Sequence, residues 1–313
     1  MNRVLLAGSL FALLSAPLAA KTIQSDEMAE VANSAQIIDT QTGSGGRLTV
    51  PVMVNGQGPF HFIIDTGADR SVISRELAGK LALPDGRKSK LVSIGGTHDV
   101  RTVKIDRLSV SGTEMRHVTA PALPARYVGA DGILGIDSLK NQRVVFDFVQ
   151  QTMRVEPANT EAVKKEKDPA GTIVVTAKNK LGQLVLVDAD AQGEEIRVIV
   201  DTGGQNSVGN SPLRKVMLRQ SPASSFRPVE LVSVVGERVP ADYAMVGRMR
   251  IGGIRISNAA IAFADAHPFA KFGLSRRPAM LLGMESLRAF RRVSIDFANR
   301  RVKFLMPQEG DGN

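Results

Sequence analysis

Apolar and polar residues alternate in short runs along much of the chain, the period of strands half-buried in a sheet. Leu48, Val50, Val52 and Val54 keep a strict period of two; Leu184 and Leu186 do the same, with Ala189 following after a slip. Each run turns through glycine-containing residues, 55–59 in one case and 191–195 in the other, which predicts a hairpin leading into a second apolar strand ending at Ile64 or Val200. Further strands are expected over 104–110 and 249–256, with breaks at Gly112, Gly252 and Gly253. Helical spacing is confined to 74–83, 137–141 and 285–290. The pattern predicts a mostly β protein in two similar halves.

The halves are a duplication. Phe62-Ile63-Ile64-Asp65-Thr66-Gly67-Ala68-Asp69-Arg70-Ser71-Val72 is echoed by Val198-Ile199-Val200-Asp201-Thr202-Gly203-Gly204-Gln205-Asn206-Ser207-Val208. Leu91-Val92-Ser93 returns as Leu231-Val232-Ser233, and Gly132-Ile133-Leu134-Gly135-Ile136-Asp137-Ser138-Leu139 as Met280-Leu281-Leu282-Gly283-Met284-Glu285-Ser286-Leu287. Val145-Phe146-Asp147-Phe148 returns as Ser294-Ile295-Asp296-Phe297. The offset grows from 136 to 149, as insertions in loops would make it grow. A polar, aperiodic stretch over 157–171 reads as a linker between a first lobe, 41–156, and a second, 172–306. Residues 21–40 and 307–313 read as flexible ends.

The chain's 313 residues are enough for two domains, each with its own core. Cysteine is absent, which excludes disulfides, a thiolate nucleophile and a cysteine zinc site. The formal charge is +9, but the basic residues are scattered, and two Tyr with no Trp offer little for base stacking, so no nucleic-acid partner is expected. His61, His98, His117 and His267 lack metal-ligand spacing. Ser71, Ser74 and Ser207 stand outside any Gly-x-Ser-x-Gly context, and Gly129, Gly132 and Gly135 do not make a dinucleotide fingerprint. Neither a metal nor another cofactor is implied. Arg3, an apolar run over 4–14 and small residues up to Ala20 read as a secretory signal at 1–20, cut after Ala20, with an uncleaved anchor as the alternative. The expected location is the periplasm or the exterior. No later run approaches the ~20 apolar residues of a membrane span.

The candidate chemistry is a pair of carboxylates. Each copy delivers Asp, Thr and Gly at the end of an apolar strand, where Gly67 and Gly203 would permit a positive φ or a close backbone approach. A single Asp-x-Gly is ordinary turn chemistry. Two copies related by a pseudo-twofold can bring Asp65 and Asp201 face to face. Two carboxylates about 3 Å apart share one proton. The ionised member can then take a proton from water while the other donates to a substrate carbonyl, the scheme already known for aspartic-protease dyads.

Asp65-Thr66-Gly67-Ala68-Asp69-Arg70-Ser71-Val72-Ile73 followed by Ile133-Leu134-Gly135 resembles the signature of the retropepsin-like and pepsin-like aspartic proteases. Asp201-Thr202-Gly203 with Leu281-Leu282-Gly283 repeats it, so the resemblance runs from about residue 47 to 305. It implies an all-β acid-protease fold, two homologous β-barrel lobes about a pseudo-twofold axis, with a cleft for an extended polypeptide substrate. It also implies that Asp65 and Asp201 are catalytic, that Thr66 and Thr202 lock the two loops, and that Gly67 and Gly203 meet substrate. The apolar strands ending in Gly135 and Gly283 pack behind the loops. Gly95, Gly96 and Gly236 are the candidate flap residues. In the second copy Gly204-Gln205 replaces Ala68-Asp69. Ile136 and Met284 stand where viral members carry an Arg that pairs with an acid near Asp69, leaving Asp69 to pair with Arg70 or with nothing. Neither Tyr127 nor Tyr243 falls in a candidate flap. The expected activity is that of a metal-independent aspartic endopeptidase, for which a monomer suffices; the alternative is a noncatalytic peptide- or envelope-protein-binding descendant.

Overall fold

The computed structural model describes residues 47–159, 161–180, 182–186, 188–219 and 225–307, with short strand segments at 5–6, 37–39 and 42–43. Apart from Leu5–Leu6, the stretch read as an export signal lies outside the described residues.

The alternating run becomes the strand Arg47–Val54, with Val50, Val52 and Val54 all buried. It turns through Asn55 and Gly56, both at positive φ, the conformation that favours Asn-Gly in a two-residue hairpin turn. Gln57–Ile64 returns antiparallel to it. In the second lobe Gln192 and Gly193 make the matching positive-φ turn. Arg47–Val54 pairs on its other side with Thr102–Val110, which closes the first lobe into a six-stranded barrel with Val72–Ser74, Thr113–Leu123 and Gly132–Leu134.

One feature of that barrel positions the chemistry. Gly132–Leu134 lies between Gln57–Ile64, parallel to it, and Val72–Ser74, antiparallel to it. The chain leaving Ile64 must therefore loop over the end of an intervening strand before it can pair again at Val72. The second lobe repeats this arrangement: Ala279–Leu282 is parallel to Arg197–Val200 and antiparallel to Ser207–Gly209. Both Asp-Thr-Gly triplets sit on these crossing loops.

The lobes share a sheet. The first lobe's last hairpin, Gln142–Asp147 and Thr152–Pro157, pairs edge to edge with the second lobe's last hairpin, Arg292–Asp296 and Arg301–Leu305. Thr172–Lys180 then carries the chain from this platform into the second lobe. In the central ladder Val145 faces Ser294, and these are equivalent positions of the duplication. An antiparallel pair in which equivalent residues face each other is what a twofold axis through the sheet produces.

The helices are short and capped by side chains the sequence supplies. Ser74 Oγ accepts from Leu77 N at 3.0 Å ahead of Arg75–Lys80, which ends before the expected 83 because Ala82 takes a positive φ. Asn210 Oδ1 accepts from Leu213 N at 3.0 Å ahead of Ser211–Leu218. The other expected helices shrink to single turns, Ile136–Leu139 and Met284–Leu287. Within the stretch read as a linker, Glu161–Lys165 is a helical turn, and Glu166 is ion-paired with the buried Arg143.

Candidate active site

Each crossing loop begins with an amide held by the strand beneath it: Asp65 N donates to Leu134 O and Asp201 N to Leu282 O, both at 3.0 Å. This is the role expected for the apolar strands behind the loops. Gly135 and Gly283 end those strands where a loop presses on them, since a Cβ would lie 2.5 Å from the carbonyl carbon of Arg70 at the first and 2.3 Å from Asn206 O at the second.

The loops are bolted together across the lobes by four hydrogen bonds. Thr66 Oγ1 donates to Val200 O at 2.7 Å and accepts from Thr202 N at 3.1 Å; Thr202 Oγ1 donates to Ile64 O at 2.8 Å and accepts from Thr66 N at 3.1 Å. All of these groups are buried, so each bond also satisfies a backbone group that water cannot reach.

Asp65 is fully buried and Asp201 nearly so. Asp65 Oδ1 accepts from Gly67 N at 2.7 Å and Ala68 N at 3.0 Å, while Asp201 Oδ1 accepts from Gly203 N at 3.1 Å and Gly204 N at 3.0 Å. The substituted second loop thus keeps both amide bonds. Asp65 Oδ2 is buried and meets no donor, and the carboxyl of Asp201 lies within hydrogen-bonding reach of Asp65. Two acceptors so placed are satisfied when one of them carries a proton. Burial first, and the charge of Asp201 second, push the Asp65 carboxyl well above the usual carboxylate range, against the opposing pull of the Gly67 and Ala68 amides.

Neither Gly67 nor Gly203 has a positive φ. Of the two roles the sequence allowed them, close approach is the one observed: a Cβ on Gly67 would lie 2.7 Å from Asp201 Oδ1, and one on Gly203 would lie 2.2 Å from Asp65 Cγ. Each glycine is packed against the other lobe's carboxylate.

Gly95 and Gly96 lie in the turn between Ser89–Val92 and Thr97–Val100; Gly236 lies in the turn between Arg227–Val232 and Arg238–Ile251. The two tips interlock. Glu237 Oε2 of the second hairpin meets His98 Nε2 at 2.9 Å and accepts from Ser93 Oγ at 3.4 Å in the first. Each tip also rests on the opposite lobe: His267 N donates to Ile94 O at 2.9 Å, and the Tyr127 ring packs against Gly236, where a Cβ would lie 2.4 Å from Cζ. Ile94 and Val234, buried at the tips, join one apolar cluster with Ile63, Val72 and Ile133 below Asp65 and with Ile199, Val208 and Leu281 below Asp201.

Several contacts escaped the sequence reading. Asp69 is not left to Arg70 or to nothing; it is ion-paired with Lys271, on the helical turn His267–Lys271 of the other lobe. Gln183, buried at the start of the second lobe, donates its amide to Gly67 O across the lobes. Ser71 donates from N and Oγ to Asp137 Oδ1, at 2.9 and 2.8 Å, tying the first loop to the helical turn that follows Gly135. Ser71 Oγ also meets Ser138 Oγ at 2.6 Å, and only this contact had a signal, because Ser71 and Ser138 recur as Ser207 and Ser286, which meet at 2.9 Å in the second lobe. His61 N donates to Asp131, while His98 and His267 both make contacts at the first hairpin.

A sequence model of aspartyl proteases matches residues 50–138 and 187–286, more than half of the chain and covering both crossing loops. The chain belongs to the aspartyl protease family. A search of curated proteins returned no match. The two matched regions fall one in each lobe, so a single aspartyl protease chain supplies both Asp-Thr-Gly loops. Among the described residues no helix is long and apolar enough to cross a membrane.

Proposed function

We propose that the protein is an exported aspartic endopeptidase that hydrolyses peptide bonds in extended polypeptide segments, using water activated between Asp65 and Asp201. The observation that carries this reading is the buried pair itself, two carboxyls within hydrogen-bonding reach and each anchored by two amides of its own loop. The member of the pair that carries the shared proton is the acid, donating to the scissile carbonyl oxygen, and the ionised member is the base, taking a proton from the attacking water. Collapse of the resulting gem-diol returns one proton to the acid and passes the other from the base to the leaving amine, so the pair is restored. The interlocked flaps would part to admit a segment and close to exclude bulk water. One chain carries both carboxylates, which supports action as a monomer. Export rests on residues 1–20, and the N-terminus of protein recovered from the periplasm should then be Lys21.

Denatured casein and a peptide library, incubated with the mature protein across pH with and without a pepstatin-type inhibitor, test the reading. Cleavage should be inhibitable and should vanish in Asp65→Asn and in Asp201→Asn; cleavage that survives both substitutions would remove it. Binding without cleavage by the unaltered protein would favour the noncatalytic alternative, whose support in the Gly204-Gln205 substitution is weakened by the intact amide bonds to Asp201.

A further inference from the structure

The two halves of the cleft differ in charge. Beside Asp65 lies a cavity of about 130 Å³ walled by Val72, Leu123 and Ile133 of the first lobe and by Val234 and Phe272 of the second. Walls of this kind take an apolar side chain. The other charged groups around it are Asp69, Arg70, Lys90 and Lys271. Lys271 is matched by Asp69, and Lys90 by Asp99 at 3.1 Å. Arg70 is exposed and has no ion pair among the described residues. A guanidinium keeps its charge at every working pH, so the mouth of this cavity carries one cation without an ion-pair partner.

The duplicate shows that the cation is not a requirement of the loop. The positions matching Asp69, Arg70 and Lys90 are Gln205, Asn206 and Glu230, and Asn206 is hydrogen-bonded to Glu285. The second loop keeps the same threonine bonds and the same anchoring of its aspartate without any cation there. The folding role of the loop and the charge at position 70 are therefore separable.

We propose that Arg70 is a specificity-determining residue, which makes the Asp65 side of the cleft select segments carrying an acidic side chain within two positions of the apolar side chain seated in the cavity. The inference rests on the proteolytic reading and narrows its substrates to apolar segments flanked by acid. Side chains of an extended strand return to one face every second residue, so an acid at that spacing comes within reach of the cavity mouth. An exposed ion pair of this kind corresponds to about a two- to fivefold preference. Because the contact forms on binding and does not change during bond cleavage, the preference belongs in KM and not in kcat.

The test uses short fluorogenic peptides with a constant leucine beside the scissile bond and Glu, Gln or Lys placed in turn at each neighbouring position. The unaltered protein should favour Glu over Gln about two- to fivefold in kcat/KM at one position within two residues of the leucine. The difference should sit in KM and shrink at about 0.5 M salt. Arg70→Gln should bring the ratio close to one, and Arg70→Glu should reverse it in favour of Lys. Equal rates for Glu and Gln at every position, or a Glu preference that persists in Arg70→Glu, would overturn the assignment while leaving proteolysis intact. Should no peptide be cut, proteolysis itself fails. The same Glu and Gln peptides, labelled and titrated onto the full chain by fluorescence anisotropy, then decide the matter for Arg70: tighter Glu binding lost in Arg70→Gln sustains it, and equal binding rejects it.

Discussion

Replacing Thr66 by Ala separates what the interlobe threonine bonds contribute from what the carboxylates do. The substitution removes one oxygen that donates to Val200 O and accepts from Thr202 N. Both abandoned backbone groups belong to buried residues, with Val200 1% and Thr202 4% exposed. A backbone group stranded in this way costs about 1–3 kcal/mol, and the lost methyl adds about 0.8 kcal/mol. The expected loss of stability for Thr66→Ala is then about 3–7 kcal/mol. Thr66→Ser keeps the oxygen and loses only the methyl, so its cost should stay near 1 kcal/mol. Thr66→Val keeps the volume but puts a methyl where the oxygen stood, and should resemble Ala. With no Trp in the chain, unfolding in urea is best followed by far-ultraviolet circular dichroism. If Ser and Ala cost the same within about 0.5 kcal/mol, a difference too small for even one stranded group, the bonds are not what holds the loops together.

Two further outcomes follow from the same geometry. Asp65 holds its proton more tightly folded than unfolded, so the stability it contributes is fully present below the unfolded carboxylate value of about 3.9 and is lost as pH rises through the folded value; Asp65→Asn, which does not titrate, should therefore be more stable than the unaltered protein at neutral pH, and denaturation midpoints showing an equal gap at about pH 3 would contradict this. Glu237→Ala removes the carboxylate that meets His98 and Ser93. Because that pair is about one-third exposed, the loss should be under about 1 kcal/mol, visible as up to about fivefold faster hydrogen exchange at amides 94–97 with the interlobe sheet unchanged.

How much was legible in the sequence depended on whether a feature is written twice. The carboxylate pair, the apolar strands behind it and the two-lobed all-β fold were legible because each appears in both copies. Even the interlobe ladder is implicit in the repeat, since Val145 and Ser294 are matched positions that turn out to face each other. The His98–Glu237 link between the hairpin tips, the Asp69–Lys271 pair and the Gln183 contact join residues separated by 139, 202 and 116 positions, and nothing in local spacing marks a partner at that range. Thr113–Leu123 escaped a period-two reading for a different reason: before its last four residues only Met115 and Val118 pack on the core, both partly buried and three residues apart with His117 at positive φ between them, so the alternation is broken.

The features written once are also the ones that break the symmetry. Backbone anchoring of Asp65 and of Asp201 is the same in kind, amide for amide, and the threonine bonds are reciprocal. Around that symmetric centre stand groups with no duplicate: Asp69 and Arg70 against Gln205 and Asn206, and Lys90 against Glu230. A peptide has a direction and the centre does not, so an orientation for the bound chain can come only from the unmatched groups. In the proposed reaction, activation of water would draw on the likeness of the lobes at their meeting point, and recognition on their difference a few residues away. These three differences lie on the crossing loop and the hairpin strand beside the cavity, where they leave the bonds holding the centre unchanged.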